Sequence, residues 1–136
     1  MQITKLGHCC LLIEDNSTVA MTDPGAWTTA QNDVKGVNII LITHEHADHF
    51  HVESLKKVLA SNPQATVVTN SRVSSLLAES NISATLLEHE QTKTFSGLTV
   101  SGFGTEHAVI YSGITNVMNT GYMIQNSFFY PGDALT

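Results

Sequence analysis

Residues 39–50 read IILITHEHADHF, four consecutive apolar residues followed at once by a cluster of histidine and carboxylate side chains. The apolar run has no polar alternation, which is typical of a strand buried on both faces of a parallel sheet. In the extended segment that leaves this strand, His44 and His46 are two residues apart and project to the same side. Asp48 and His49 follow where the chain turns, so their side chains can reach a neighbouring position. This order predicts a polar site at the carboxyl end of a buried strand.

Imidazoles and carboxylates in this arrangement indicate a metal site. Neutral imidazoles and a carboxylate suit zinc and related divalent metals, and a catalytic zinc site uses three protein ligands and leaves a position for water. One histidine alone would fit an exposed polar loop, but three histidines and an aspartate behind a buried strand favour metal binding. Four potential ligands in six residues can serve two metals. His51 lies outside this set and is expected at an exposed helix start.

Strand and helix patterns flank this stretch on both sides. From Gln2 to Thr22, short apolar runs broken by residues 14–17 predict a hairpin of two strands. After residue 51, apolar residues at helical spacing alternate with strand candidates at 66–69 and 84–87, which predicts a β-α-β-α-β series. Only strand patterns remain after residue 90. Together these segments favour a sheet-containing α/β sandwich over a pure doubly wound sheet.

Composition limits the class of protein. The 136 residues are 42% hydrophobic and 13% charged, which predicts one globular domain over residues 1–136. A formal charge of −6 argues against a nucleic-acid partner, and no apolar run approaches membrane-spanning length. We therefore expect a cytoplasmic protein that acts on a small molecule without a membrane partner; a homo-oligomer is left open. Cys9 and Cys10 are adjacent, so a disulfide between them is not expected.

The order His-x-His-x-Asp-His after a strand resembles the signature of the metallo-β-lactamase fold superfamily. Residues 6–9, LGHC, and 22–24, TDP, are similar to its branch of small metal-dependent hydrolases that includes the ascorbate-6-phosphate lactonase-like proteins. The resemblance covers nearly the whole chain. It implies an α/β fold, an αββα sandwich, with one or two divalent metal ions, zinc first and manganese or iron as alternatives.

The resemblance also assigns residues to the metals. Asp48 is implied to be catalytic as well as a ligand, because it would orient the metal-activated water. The implied ligand set is His44, His46 and His107 at the first metal, Asp48 and His49 at the second, and Asp133 as the bridge.

The C-terminus departs from the family pattern. Family members continue past the bridging aspartate to one more metal-binding histidine, whereas this sequence stops three residues after Asp133. We expect the domain to be truncated in its second half. The alternatives are that another chain supplies the missing segment or that the second metal site is incomplete.

Three further residues have two interpretations each. Asp23, at the abrupt end of a strand, suits either fixing the tautomer of a ligand histidine or an ordinary turn. His8 suits a contact with substrate or metal, or a structural hydrogen bond. Trp27 suits either the wall of a substrate pocket or simple packing.

The resemblance implies a metal-dependent hydrolase that uses a metal-activated water on a small anionic ester, lactone or phosphodiester. Two alternatives stay open. A nuclease or cyclic-nucleotide phosphodiesterase of this fold would normally add a basic surface, and the chain has only six Lys and Arg residues. A non-catalytic metal-binding or interaction module would follow if the second metal site is unfinished.

Overall fold

Two β-sheets pack face to face in the computed structural model, which describes residues 1–112 and 115–134. The last two residues of the predicted domain, 135–136, therefore lie outside the described ranges. The elements in chain order are β1 (Gln2–Gly7), β2 (Cys10–Asp15), β3 (Thr18–Thr22), β4 (Ile39–Leu41), α1 (Val52–Ser61), β5 (Thr66–Thr69), α2 (Ser71–Ala78), β6 (Thr85–Leu86), β7 (Thr92–Phe95), β8 (Leu98–Phe103), β9 (Gly121–Ile124) and β10 (Phe128–Tyr130).

The first sheet has the order β1-β2-β3-β4-β5-β6. Strands β1 to β3 are antiparallel, and β3 to β6 are parallel, with Ile40 of β4 paired to both Met21 and Val67. The prediction of a two-stranded hairpin over residues 2–22 is wrong, because the chain also reverses at His8, where φ is +45°. Residues 8 and 9 form a tight turn, so this region holds three strands.

Helices α1 and α2 cover the outer face of the first sheet. Each begins with a side chain that accepts a hydrogen bond from a backbone N–H of the first turn, His51 from Ser54 and Asn70 from Val73. The apolar faces of the helices pack on the sheet in one buried cluster, which includes Ile40, Ile42, Leu55, Val58, Val73 and Leu77. The βα middle of the chain thus has the architecture that the sequence predicts.

The second sheet is antiparallel, in the order β10-β9-β8-β7. Its inner face packs on the first sheet through a second buried cluster, in which Val100 and Tyr122 meet Leu41 and Val68. Its outer face bears an open apolar cavity of about 370 Å³ beside Phe103 and neighbouring side chains. Within the described ranges, no helix covers this outer face. The chain therefore shows three successive layers, α, β and β, of the expected αββα sandwich.

Hydrogen bonds join the two sheets at the end where the parallel strands finish. The Tyr122 hydroxyl donates to the carbonyl of Ile42 at 2.9 Å, and the Thr120 N–H donates to the carbonyl of Thr43 at 3.0 Å. These bonds bring the loops of the second sheet over the histidine-rich segment. None of the helices in the described ranges is long and apolar enough to cross a membrane.

Candidate metal centre

The histidine-rich segment leaves β4 and folds back in a tight turn. The N–H groups of His49 and Phe50 both donate to the carbonyl of His46, at 2.9 and 2.8 Å. This turn sends the side chains of His44 and His46 to one side and those of Asp48 and His49 to the next. The segment is buried at His44 and His49, and of the residues between them Ala47 is exposed and the others are half-buried.

Four side chains from three parts of the chain meet at what we call the first metal position. One ligand atom from each lies within 4.8 Å of the others, and the imidazole centroids of His44, His46 and His107 are 4.7–4.9 Å apart. The members of the first metal position are His44, His46, His107 and Asp133.

A second metal position lies beside the first and shares one residue with it. Nε2 of His49 is 3.2 Å from Oδ1 of Asp133 and 3.4 Å from Oδ2 of Asp48. The members of the second metal position are Asp48, His49 and Asp133. Within the described ranges this position therefore has one imidazole and two carboxylates.

The tautomer of His44 follows from a chain of hydrogen bonds. The Thr43 hydroxyl donates to Oδ2 of Asp23 at 2.8 Å, so it can only accept from Nδ1 of His44, also at 2.8 Å. The proton of His44 is therefore on Nδ1, and Nε2 presents a lone pair. That Nε2 atom is buried without a hydrogen-bond partner and lies 3.6 Å from Oδ2 of Asp133.

The same reasoning applies to His107. Its Nδ1 is 2.6 Å from the carbonyl of Ala108, which can only accept, so the proton is on Nδ1. Its Nε2 lies 3.3 Å from the same Asp133 oxygen that Nε2 of His44 faces. A lone pair facing a carboxylate oxygen is unfavourable without a cation between them, and burying an unpartnered ring nitrogen adds to the cost. The donor set therefore fits a divalent metal ion, which would bind both nitrogens and the carboxylate.

Asp23 is the buried residue around which these contacts are arranged. Its Oδ1 accepts from the Thr43 N–H at 2.8 Å, and its Oδ2 accepts from Nδ1 of His49 at 2.7 Å and from the Tyr130 hydroxyl at 2.9 Å. It thus orients His49 directly and His44 through Thr43. Burial and the charge of Asp23 raise the pKa of the Tyr130 hydroxyl well above its usual range, so this residue donates a hydrogen bond at every ordinary pH.

The two buried histidines have pKa values shifted in opposite directions. Burial, followed by the charge of the neighbouring His49, lowers the pKa of His44 to about 3. Burial also acts to lower the pKa of His49, but its contacts with Asp23 and Cys9 outweigh burial and raise that pKa to about 10. Without a metal, His44 is therefore neutral at pH 7 and His49 is protonated.

Asp133 and Asp48 are placed by close backbone packing at two glycines. Gly132 has φ +63°, and a Cβ there would lie 2.7 Å from the Thr43 hydroxyl oxygen. A Cβ on Gly25 would overlap the carbonyl group of Asp48. Only glycine lets these loops approach the histidine-rich segment so closely. The Asp133 N–H also donates to Oδ1 of Asn119 at 3.1 Å.

His8 and Trp27 lie at the edge of the second metal position. Nε2 of His8 is 2.8 Å from Oδ2 of Asp48, and this contact, with the charge of His49, lowers the pKa of Asp48 against the opposing effect of burial. The ring of Trp27 packs at 4.6 Å from that of His8 and remains largely exposed. Trp27 therefore lies in neither core.

Sequence reasoning did not single out three residues that hold the site together, namely Thr43, Asn119 and Tyr130. Thr43 carried a usable signal, since a hydroxyl directly between a buried strand and the first histidine can bond to either. Tyr130 had none, because the carboxylate it contacts is 107 residues away in sequence. His51 caps helix α1, as its position before the apolar spacing predicts, but it is half-buried and not exposed. Cys9 and Cys10 are both free thiols.

The chain is similar in sequence to proteins that are longer than itself. It is 34% identical over 140 residues to Protein Rv0786c of Mycobacterium tuberculosis, covering 99% of this chain and 65% of that protein. It is 29% identical to a UPF0173 metal-dependent hydrolase of Methanocaldococcus jannaschii, covering 96% of this chain and 60% of that protein. The chain thus spans somewhat less than two thirds of the length of these relatives.

Solved structures share the fold at low sequence identity. Igni18, a metallo hydrolase from Ignicoccus hospitalis, superposes with a TM-score of 0.71 at 18% identity, over 97% of this chain and 60% of that one. CmlA, a diiron β-hydroxylase from Streptomyces venezuelae, gives 0.75 at 17% identity, over 97% of this chain and 29% of that one. At these identities the likeness concerns the fold alone. A family model described as the β-lactamase superfamily domain matches residues 2–136, and the chain belongs to that family.

Proposed function

We propose that this chain carries the metal-binding part of a hydrolase that cleaves a small anionic ester, lactone or phosphodiester in the cytoplasm. The observation that carries the proposal is the arrangement at the first metal position. There, Nε2 of His44 and Nε2 of His107 both face Oδ2 of Asp133, at 3.6 and 3.3 Å, and the His44 atom is buried without a hydrogen-bond partner. Such a set of acceptors is suited to a divalent cation and to little else.

The residues for the metals are those of the two metal positions. His44, His46, His107 and Asp133 would hold the first ion, and Asp48, His49 and Asp133 the second. Zinc is our first choice, with manganese or iron as alternatives, because availability selects among these metals at a histidine and carboxylate site. When bound, such an ion supplies the positive charge that acidifies a water molecule and polarises the oxygen of the scissile group.

The chain's own residues provide the proton transfer and the orientation. Asp48 is only partly buried, and its Oδ2 is the atom that would accept the proton of the attacking water. His8, at 2.8 Å from that oxygen and open to solvent, would share the proton and fix the direction of the carboxylate. Asp23, directly at His49 and through Thr43 at His44, holds Nδ1 of each ring and so directs each Nε2 towards the metal positions.

A second candidate function rests on the second metal position. Its described members include a single imidazole, and that imidazole is protonated in the metal-free state. The alternative is a non-catalytic module that binds metal at the first metal position and does not turn over a substrate.

Metal content and hydrolysis distinguish the two functions. The full natural chain, stripped and reloaded with zinc, manganese or iron, should cleave bis(4-nitrophenyl) phosphate or a simple lactone and lose this activity with a chelator. His46→Ala should abolish both tight metal binding and hydrolysis. His51→Asn is the matched control, since it also removes an imidazole but retains a side chain that caps helix α1. Metal binding without any turnover over a broad panel would favour the non-catalytic module.

A further inference from the structure

Exposed apolar side chains concentrate at the two edges of the candidate metal centre. Trp27 is 69% exposed at one edge, and Val109 and Ile110 are 75% and 62% exposed at the other. Large apolar side chains that stay exposed in a cluster mark binding surfaces more often than single ones do. Neither group belongs to the two buried apolar clusters of the fold.

The first edge is built by the loop that follows β3. Its backbone lies directly on the histidine-rich segment, with the Ala26 N–H donating to the carbonyl of Ala47 at 2.8 Å. The Trp27 ring packs against His8, whose Nε2 contacts Asp48 at 2.8 Å. The indole is therefore two side-chain contacts away from the residue proposed to accept the proton.

The second edge is built by the segment after His107. The Ala108 N–H donates to the carbonyl of Asp133 at 2.8 Å, which fixes the start of the segment to the metal centre. Val109 and Ile110 then line a small cavity of about 30 Å³ together with the imidazoles of His46 and His107. An apolar group at this edge would thus touch two residues of the first metal position.

The charges around the centre give little attraction to an anion beyond the metals. Among the ion pairs of residues 1–112 and 115–134, Arg72 provides the only Lys or Arg contact with the histidine-rich segment. That guanidinium is already paired with Glu45, at 3.1 Å. The parts of a substrate that lie beside the scissile group therefore meet uncharged side chains, which at the second edge are Val109, Ile110 and Val117 together with Thr115 and Asn116.

We infer that the substrate carries an uncharged apolar substituent, an acyl or aryl group, next to the bond that is cleaved. This inference rests on the proposed function and narrows its substrate class. The negative charge belongs to the scissile group at the metals, and the substituent lies against the apolar side chains at the edges of the centre, Trp27 and Ile110. Each methylene of the substituent that is buried there should tighten binding about fourfold.

Binding of non-hydrolysable alkylphosphonates tests the inference without any turnover. Trp27 is the single tryptophan of residues 1–136, so a fluorescence change that Trp27→Phe abolishes reports on this edge. In the metal-loaded full chain, hexylphosphonate should bind at least tenfold more tightly than methylphosphonate and shift the emission to the blue. Equal affinities for the two phosphonates, or an unchanged emission, would overturn the inference.

Substitutions locate the effect. Ile110→Ser should remove most of the preference for the hexyl compound, and Val109→Ser should reduce it if the first variant does not fold. Ile3→Ser is the control, because Ile3 is also an exposed apolar residue but lies on β1, four residues before Gly7. If Ile110→Ser leaves the preference intact and instead changes the oligomeric state, this edge is a protein interface and the inference is wrong. Hydrolysis with no preference for apolar esters would likewise contradict it, while the proposed function would stand.

Discussion

The two metal positions share Asp133 but treat their buried histidines differently. At the first, Nδ1 of His44 donates to the neutral hydroxyl of Thr43, and burial lowers the pKa of His44 to about 3. At the second, Nδ1 of His49 donates directly to the Asp23 carboxylate, and the pKa of His49 is raised to about 10. The two rings are only 4.1 Å apart, so proton occupancy at one disfavours it at the other.

This difference has a consequence for metal loading. A cation reaching the first position meets a neutral imidazole with a free lone pair. A cation reaching the second must displace a proton from His49, so binding there competes with protons over a wide range of pH. We therefore expect the first position to fill before the second, and the second to fill more readily as pH rises.

The largest effect should appear in the stability of the metal-free protein against pH. The pKa of His49 is raised from the ordinary 6.5 to about 10 in the folded protein. Protonated His49 therefore stabilises the fold fully below pH 6.5, and this stabilisation is lost as pH rises through about 10. The lowered pKa of His44 means that stability falls as pH drops from 6.5 towards 3, since only the unfolded chain binds that proton. Each histidine should change the free energy of unfolding by up to about 1.4 kcal/mol per pH unit, between pH 6.5 and 10 for His49 and between pH 3 and 6.5 for His44.

Denaturant unfolding between pH 4 and 9 measures these slopes. His49→Gln should flatten the alkaline side and His44→Gln the acid side. Identical pH profiles for both variants would show that the two histidines do not differ in the way proposed.

Removing one ligand from each position should separate the two ions. His107→Ala should weaken the first ion by more than the roughly 100-fold that loss of an outer partner costs, and leave the second position its three members. Asp48→Asn should weaken the second ion in the same way. Metal content after dialysis gives the readout, and loss of both ions from both variants would argue for a single shared site.

Asp23→Asn should make the two positions more alike. The amide keeps one acceptor oxygen, but its NH2 group must face a donor that the second carboxylate oxygen accepted from, and it lacks the charge that favours protonated His49. The metal-free protein should therefore lose about 2–3 kcal/mol of unfolding free energy at pH 7. Affinity for the second ion should fall roughly 10- to 100-fold. Calorimetric titration measures the affinity. Tyr130→Phe is the control that removes one donor to the same oxygen and leaves the charge in place.

The smallest effect is expected at His8. His8→Gln should weaken the second ion by about tenfold, the lower end for loss of a residue that orients a ligand, and leave the first ion unaffected. Cobalt absorption spectra of the singly and doubly loaded protein resolve the two ions. A change confined to the first ion would contradict the contact between His8 and Asp48.

Much of the βα middle could be predicted because its signals are local. The apolar run of β4, the turn after it and the caps of the two helices all depend on neighbours within a few residues. The reversal at His8 was not predictable in the same way, since a non-glycine residue rarely adopts φ of +45° and the sequence around it reads as continuous strand.

The residues of the candidate site likewise divide into those that a local sequence pattern indicates and those that only the folded chain brings together. The cluster from His44 to His49 is visible in the sequence as one motif, and His107 and Asp133 could be proposed only through the order of elements in a resembling family. The contacts of Asp23 with Thr43 and Tyr130 depend on strands that meet only in the folded chain. No pattern within a short window encodes which of two interpretations of a buried aspartate applies.

The hydrogen bonds between the two sheets also govern when the centre can form during folding. Tyr130 near the end of the chain donates to the carbonyl of Cys9, 121 residues earlier, and to Asp23. Contacts at such separation form late, because the loop between them must close first. The metal ions therefore meet a complete set of ligands only after both sheets have docked. We expect added metal to leave the folding rate almost unchanged and to slow unfolding. The ions would then stabilise the protein kinetically, by binding a chain that has already folded.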